Sequence, residues 1–196
     1  MTRSGTTGLA QRRALLAFAM TCATTAFPGQ GNASTPGVPE VFDPPRALPD
    51  FVFTDEAGRE HRVADFAGEV LVINLWATWC PPCVAEMPTL DRLQAMLGGE
   101  RVRVLALSQD RGGAAVVRRF YDQTSVRHLP IWLDPRGAAS RILGARGLPT
   151  TLIVTRDSRE AMRLAGEAEW DAPAMVKLIR AIGARGATPR PAAGAT

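Results

Sequence analysis

The sequence is short of several residue types. Its 196 residues include three cysteines, two histidines and one tyrosine, and Lys177 is the only lysine among 23 basic residues. Three cysteines cannot build a disulfide framework. None is needed, because a domain of about 150 residues buries roughly two-thirds of its unfolded surface unaided. No basic run interleaved with aromatics is present, which argues against a nucleic-acid surface. No internal repeat is visible. The apolar stretch from Ala14 to Phe27 has 14 residues, short of the roughly 20 that a membrane-spanning helix requires.

What is present describes a globular chain. Hydrophobic residues make up 46% and charged residues 21%, which excludes wholesale disorder, a collagen and a polytopic membrane protein. The net charge is +4 and the pI about 9.6. Arg3, Arg12 and Arg13 lie in the first 33 residues, which hold no acid; the remainder has 20 basic against 19 acidic residues. Part of the basic pI therefore belongs to the N-terminal segment.

That segment follows an export pattern. A positive region ends at Arg12-Arg13, the apolar stretch follows, and small residues come next at Thr24-Thr25-Ala26 and Gly31-Asn32-Ala33. Residues 1–33 are expected to be a signal peptide, cleaved after Ala26 or, preferably, Ala33. The alternatives are an uncleaved anchor, twin-arginine routing, and lipidation of Cys22. Residues 34–47 are expected to be a proline-rich linker, 48–185 the folded domain, and 186–196 a disordered tail.

Within the domain, Phe51-Val52-Phe53 and His61-Arg62-Val63 flank the turn Asp55–Gly58 and read as a hairpin. Val70–Trp76 is a near-continuous apolar run, the pattern of a strand buried on both faces. From Pro81 to Leu97 apolar residues recur at helical spacing, and Gly98-Gly99 ends them. Val102–Leu107 is a second buried strand. A helix around Val116–Tyr121, a strand at Ile131–Leu133, a short helix over 138–143, a hairpin over 151–165 and a helix over 172–182 complete the chain. The order predicts an α/β fold with a mixed central sheet flanked by helices and an extra N-terminal β-hairpin.

The chemistry is concentrated in Trp79-Cys80-Pro81-Pro82-Cys83. A C-x-x-C pair can be a zinc half-site, a haem attachment or a dithiol redox centre. Zinc needs two more ligands, and His61 and His128 stand far apart; no metal site is expected. Haem attachment needs a histidine where Val84 stands. A dithiol centre fits the context, between a buried strand and an amphipathic helix. Cys80 then lies at a helix N-terminus, where unpaired N–H groups and the dipole favour a thiolate. Cys80 would attack and Cys83, one turn in, would resolve the mixed disulfide. A purely structural disulfide is the bland alternative, although so short a loop constrains the unfolded chain little. Gly147-Leu148-Pro149-Thr150 supplies a surface for the partner chain: a cis Pro149 would leave the preceding carbonyl and N–H available to an extended peptide. A trans proline at a strand start is the alternative. Trp79, Pro82, Leu148, Pro149 and Thr150 are the expected substrate contacts.

The run Asn74–Cys83, with Glu86-Met87-Pro88 after it and Pro149 before the second hairpin, resembles thioredoxin-fold proteins. More narrowly it is similar to the TlpA/ResA group of thiol–disulfide oxidoreductases, over about 48–183. Gly166–Asp171 resembles the TlpA branch. The resemblance implies an exported, often membrane-anchored monomeric reductant that needs no cofactor beyond its cysteines. Its client would be a disulfide-bearing apocytochrome c or copper-site protein, and its electron donor a membrane protein of the CcdA/DsbD type. Two departures matter. Where cytoplasmic thioredoxins carry a buried Asp, Asn74 cannot exchange a proton. Glu86, three residues after Cys83, is the nearest carboxylate, and the resemblance implies that it assists proton transfer at the resolving cysteine; the alternative is a first-turn acid favoured by the dipole. Pro81-Pro82, between the cysteines, leaves potential and partner open. Two other classes compete. A thiol peroxidase of the peroxiredoxin type would have Pro where Asn74 stands, and a copper-assembly chaperone would space its cysteines as C-x-x-x-C.

Overall fold

The computed structural model describes residues 37–185. The expected signal segment with Cys22, and the expected tail 186–196, lie outside the described residues. Residues 34–47 are not merely linker: Glu40–Ala47 form strand β1. Its prolines read as breakers, yet β1 lies at the edge of the sheet, where a missing N–H costs no ladder bond. Arg46 fixes it by donating from Nε and Nη2 to Glu160, at 2.9 and 3.2 Å. Most of its side chains are exposed, so β1 adds an edge and little core.

The first hairpin is β2 (Val52–Asp55) and β3 (Glu60–Arg62). Asp55 closes its turn by accepting from the N–H groups of Ala57 and Arg59. The apolar run becomes β4 (Val70–Trp76), buried at every position. Helix α1 covers Pro81–Leu97, and β5 (Val102–Ser108) follows, parallel to β4. Helix α2 (Ala114–Thr124), strand β6 (Trp132–Leu133) and helix α3 (Ala138–Ile142) come next. The second hairpin is β7 (Thr150–Val154) with β8 (Arg159–Ala165), and α4 (Pro173–Arg185) closes the domain.

The eight strands form one mixed sheet in the order β1-β8-β7-β4-β5-β6-β2-β3, so the N-terminal hairpin extends the edge beyond β6. Successive β4 residues point to opposite faces. Val70, Val72 and Trp76 join α1, α2 and α4 in one apolar cluster. Leu71, Ile73 and Leu75 join Phe51, Phe53, Trp132 and the α3 residue Ala139 in the other. Both faces are covered, which is why β4 reads as continuous rather than alternating.

The registers put several strand ends together. Leu75 pairs with Thr150, Thr150 with Ala165, Trp76 with Ser108, and Ser108 with Leu133. The segments leaving β4, β5, β6 and β8, and the one entering β7, therefore meet at one end of the sheet. That end carries the C-x-x-C motif.

Candidate active site

Cys80 is the N-cap of α1, with extended backbone at φ −100° and ψ 103°. Pro81 and Pro82 occupy the first helical turn, where their absent N–H groups would have no intrahelical partner. Cys80 and Cys83 form a disulfide with Cα atoms 5.3 Å apart. The Cys83 N–H points at Cys80 Sγ, 3.4 Å away. The two prolines therefore remove two possible donors to that sulfur, and one survives. Cys83 is fully buried, whereas Cys80 retains 5% exposure.

A buried carboxylate holds the loop before Cys80. Asp110 accepts from the Thr78 N–H at 2.9 Å, the Thr78 hydroxyl at 2.7 Å and the Ser108 hydroxyl at 2.8 Å. Trp79, next in the chain, is 66% exposed.

Glu86 lies one turn beyond Cys83 on α1 and is only 2% exposed. Asn74 Nδ2 donates to its Oε1 at 2.7 Å; the Trp170 indole N–H and the Ala168 N–H donate to Oε2 at 2.9 and 3.2 Å. Burial pushes its pKa up to about 7, against the opposing pull of the hydrogen bonds from Trp170, Asn74 and Ala168. Asn74 reaches Glu86 because the alternation along β4 turns it toward the α1 face, where it also donates to Thr151 Oγ1 at 2.9 Å. A cavity of about 510 Å³, bordered by Thr89, Glu167 and Glu169, opens beside Glu86 and offers the carboxyl a route to solvent.

Pro149 follows a cis peptide bond and sits where β7 begins beside the end of β4. The Pro149 carbonyl accepts from Gly166 N–H, and the Thr150 hydroxyl donates to the Gly147 carbonyl. Among the described residues, the N–H and C=O of half-buried Leu148 have no hydrogen-bond partner.

Topology thus gathers Trp79, Cys80, Pro82, Cys83, Glu86, Leu148, Pro149 and Thr150 at one sheet end. Spacing in the sequence points neither to Asp110 nor to the Trp170 indole that holds Glu86. Asn74, read as a loss, is a donor to the carboxyl. His61 and His128 are elsewhere: His61 lies 3.4 Å from Asp55 in the hairpin, and His128 is exposed before β6. Among the described residues, no group of three or more His, Cys, Asp or Glu side chains is arranged to hold a metal ion.

Residues 44–159 match the AhpC/TSA family. The thiol–disulfide oxidoreductase ResA of Bacillus thuringiensis subsp. konkukian is 32% identical over 122 residues, covering 62% of this chain and 69% of the relative. A structure from Chlorobium tepidum described as a thiol:disulfide interchange protein DsbE superposes with a TM-score of 0.62 at 25% identity, over 70% of this chain and 96% of the other. The exposed lipoprotein thioredoxin of Streptococcus pneumoniae gives 0.57 at 25% identity, over 68% and 99%. The matched region contains both cysteines, Glu86 and Pro149. The chain therefore belongs to the AhpC/TSA family and is a ResA/TlpA-like thiol–disulfide oxidoreductase of the thioredoxin fold.

Proposed function

We propose that the protein works outside the cytoplasm as a reductant of client disulfides, with Cys80 as nucleophile and Cys83 as resolving thiol. The observation carrying this reading is the placement of the pair: Cys80 at the start of α1, beside the unpartnered backbone groups of Leu148. The Cys80 thiolate attacks one sulfur of the client disulfide. The client S–S bond breaks and its other sulfur leaves as a thiolate. The Cys83 thiolate then attacks Cys80 Sγ, the mixed disulfide breaks, and the second client thiol departs. Two electrons pass to the client, the two thiol protons of the pair end on the client's sulfurs, and the Cys80–Cys83 disulfide remains. Glu86 holds or releases a proton at Cys83 during the second exchange. Trp79, Pro82 and Leu148 form the contact surface, the client chain pairing with the Leu148 edge; Pro149 and Thr150, expected as direct contacts, are buried and shape that edge from beneath.

The partner assignments belong to this same proposal. The client is an apocytochrome c or a copper-site protein, a membrane protein of the CcdA/DsbD type returns electrons, and the working unit is a monomer. Residues 1–33 direct export, leaving the domain soluble or tethered. Among the described residues no helix is long and apolar enough to cross a membrane.

Direction follows from thiolate stabilisation. Of the backbone donors near Cys80 Sγ, Pro81 and Pro82 supply none, and neither brings charge; the Cys83 N–H and the helix dipole remain. A modestly stabilised thiolate makes a reducing couple. Equilibration against a dithiothreitol buffer should give about −200 to −270 mV, well below the roughly −120 mV of the strong periplasmic oxidant. A value above about −150 mV would sink the reductant reading.

Reactivity of the two thiols is a second check. In the reduced protein Cys80 should take iodoacetamide first, as the more accessible thiol at a helix cap. Preferential label on Cys83 would reverse the assignment. Peroxide consumption tests the peroxidase alternative, which the Asn74 side chain opposes: it stands, hydrogen-bonded to Glu86 and Thr151, where that chemistry expects proline.

A further inference from the structure

We infer that the surface beside Trp79 docks the acidic flank of a client, selecting disulfides whose cysteine has aspartate or glutamate within a few residues. This rests on the thiol–disulfide exchange proposed above and adds a charge preference to it. The segments leaving β5 and β6 bring Arg111, Arg136 and Arg141 around a cavity of about 290 Å³ whose wall includes Trp79. All three arginines are exposed, and none forms an ion pair among the described residues.

The nearby carboxylates are turned inward. Asp110 is occupied by Thr78 and Ser108. Asp134 accepts from the N–H groups of Ala138 and Ala139 at the start of α3, at 2.8 and 2.9 Å. Arg141 acts on Asp134 only through space, and its Nη1 donates to the Arg136 carbonyl at 2.6 Å. Three cations thus face solvent without a direct ion pair, around a cavity that Trp79, the residue before the nucleophile, helps to line.

The opposite flank has the opposite sign. Sheet order places the segment after β8 on the far side of β4, and there Glu167 and Glu169 border the cavity at Glu86. An acidic stretch of client is repelled from that side and drawn to the arginine side. Trp79 offers an apolar platform and the arginines offer the fork geometry that carboxylates take. Rim charges of this kind act mainly on encounter rate and are screened by salt.

The test uses the intact oxidoreductase and two synthetic disulfide peptides, identical except for two aspartates or two serines beside the cysteine, with neutral hydroxyethyl disulfide as a third substrate. At low salt the wild-type protein should reduce the acidic peptide at least about fivefold faster than the serine peptide, and about 0.5 M NaCl should erase the difference. Arg111→Ala/Arg136→Ala should abolish the preference, and Arg111→Glu/Arg136→Glu should invert it, while reduction of hydroxyethyl disulfide continues. Equal wild-type rates on the two peptides, or a preference that survives both double variants, overturns the inference. Loss of hydroxyethyl disulfide reduction by the wild-type protein would instead defeat the exchange reading itself.

Discussion

Cys83→Ala should convert the enzyme into a covalent trap. Cys83 is fully buried and already bonded to Cys80 Sγ. In the proposed cycle a client sulfur takes its place on Cys80, and Cys83 must displace that sulfur from within the same helical turn. An intramolecular attack so placed has an effective concentration far above that of any thiol in solution. With alanine there, release depends on an external thiol, and client turnover should fall by at least about a hundredfold. The protein–client adduct should accumulate on non-reducing gels, with peptide mapping placing the bond at Cys80. Cys80→Ser should form no such adduct and retain no turnover. The variant is not expected to unfold, because a disulfide closing so short a loop contributes little through chain entropy. Normal turnover by Cys83→Ala, or an adduct on Cys83 in the Cys80→Ser protein, would remove the assigned roles. The same trap identifies the client, since whatever is bound to Cys80 can be sequenced.

The elements carrying this chemistry were legible because their signals are local. A near-continuous apolar run, interrupted by Asn74 alone, marked Val70–Trp76, and the Pro81–Leu97 periodicity marked α1 to the residue. The hairpins were marked by turn residues, with shifts of one or two positions at their ends. β1 was missed because its sequence, with Pro44 and Pro45, carries a breaker signal; what makes it a strand is the exposed edge of β8, a property of another part of the chain. The site divides in the same way. Cys80, Cys83 and Glu86 lie within seven residues of one another in sequence and declare themselves by spacing. The groups that determine how Glu86 behaves lie 12 to 84 residues away, in Asn74, Ala168 and Trp170. No pattern local to the chain predicts that an indole N–H will meet a carboxyl across such a separation. Asp110, which holds Thr78 across 32 residues, was hidden for the same reason.

Glu86→Gln should produce two effects of opposite sign, slower exchange and a stability that gains on the wild type as pH rises. Burial raises the Glu86 pKa from 4.5 to about 7. Below about pH 4.5 the carboxyl is neutral in both folded and unfolded chains, and its ionisation costs the fold nothing. As pH rises toward 7 the unfolded chain releases the proton while the folded one retains it, so stability falls. Above 7 both are ionised and the loss is complete, on the order of 3 kcal/mol. Glutamine cannot ionise, so the variant should lack this decline. It also fits the surroundings: its carbonyl can accept from Trp170 and Ala168. A half-turn of the Asn74 amide would let the glutamine NH₂ group donate to Asn74 Oδ1, with the Asn74 NH₂ group taking the buried position where that oxygen has no partner among the described residues, a cost that does not vary with pH. In urea melts of the oxidised proteins the variant should therefore gain on the wild type between about pH 4 and about pH 8, whatever constant offset separates the two. For exchange the sign reverses. A group half-ionised near neutrality can both take and return the proton of the buried Cys83 thiol, whereas glutamine can do neither. The rate at pH 7 should fall about tenfold to a hundredfold, with loss of the inflection near 7 from the pH–rate profile. Trp170→Phe separates this role from mere packing. It keeps an aromatic ring at the site but removes one donor to the carboxylate, so the inflection should move to higher pH and persist. An inflection that survives Glu86→Gln, or that Trp170→Phe leaves in place, would reduce Glu86 to a buried polar residue with no part in the exchange.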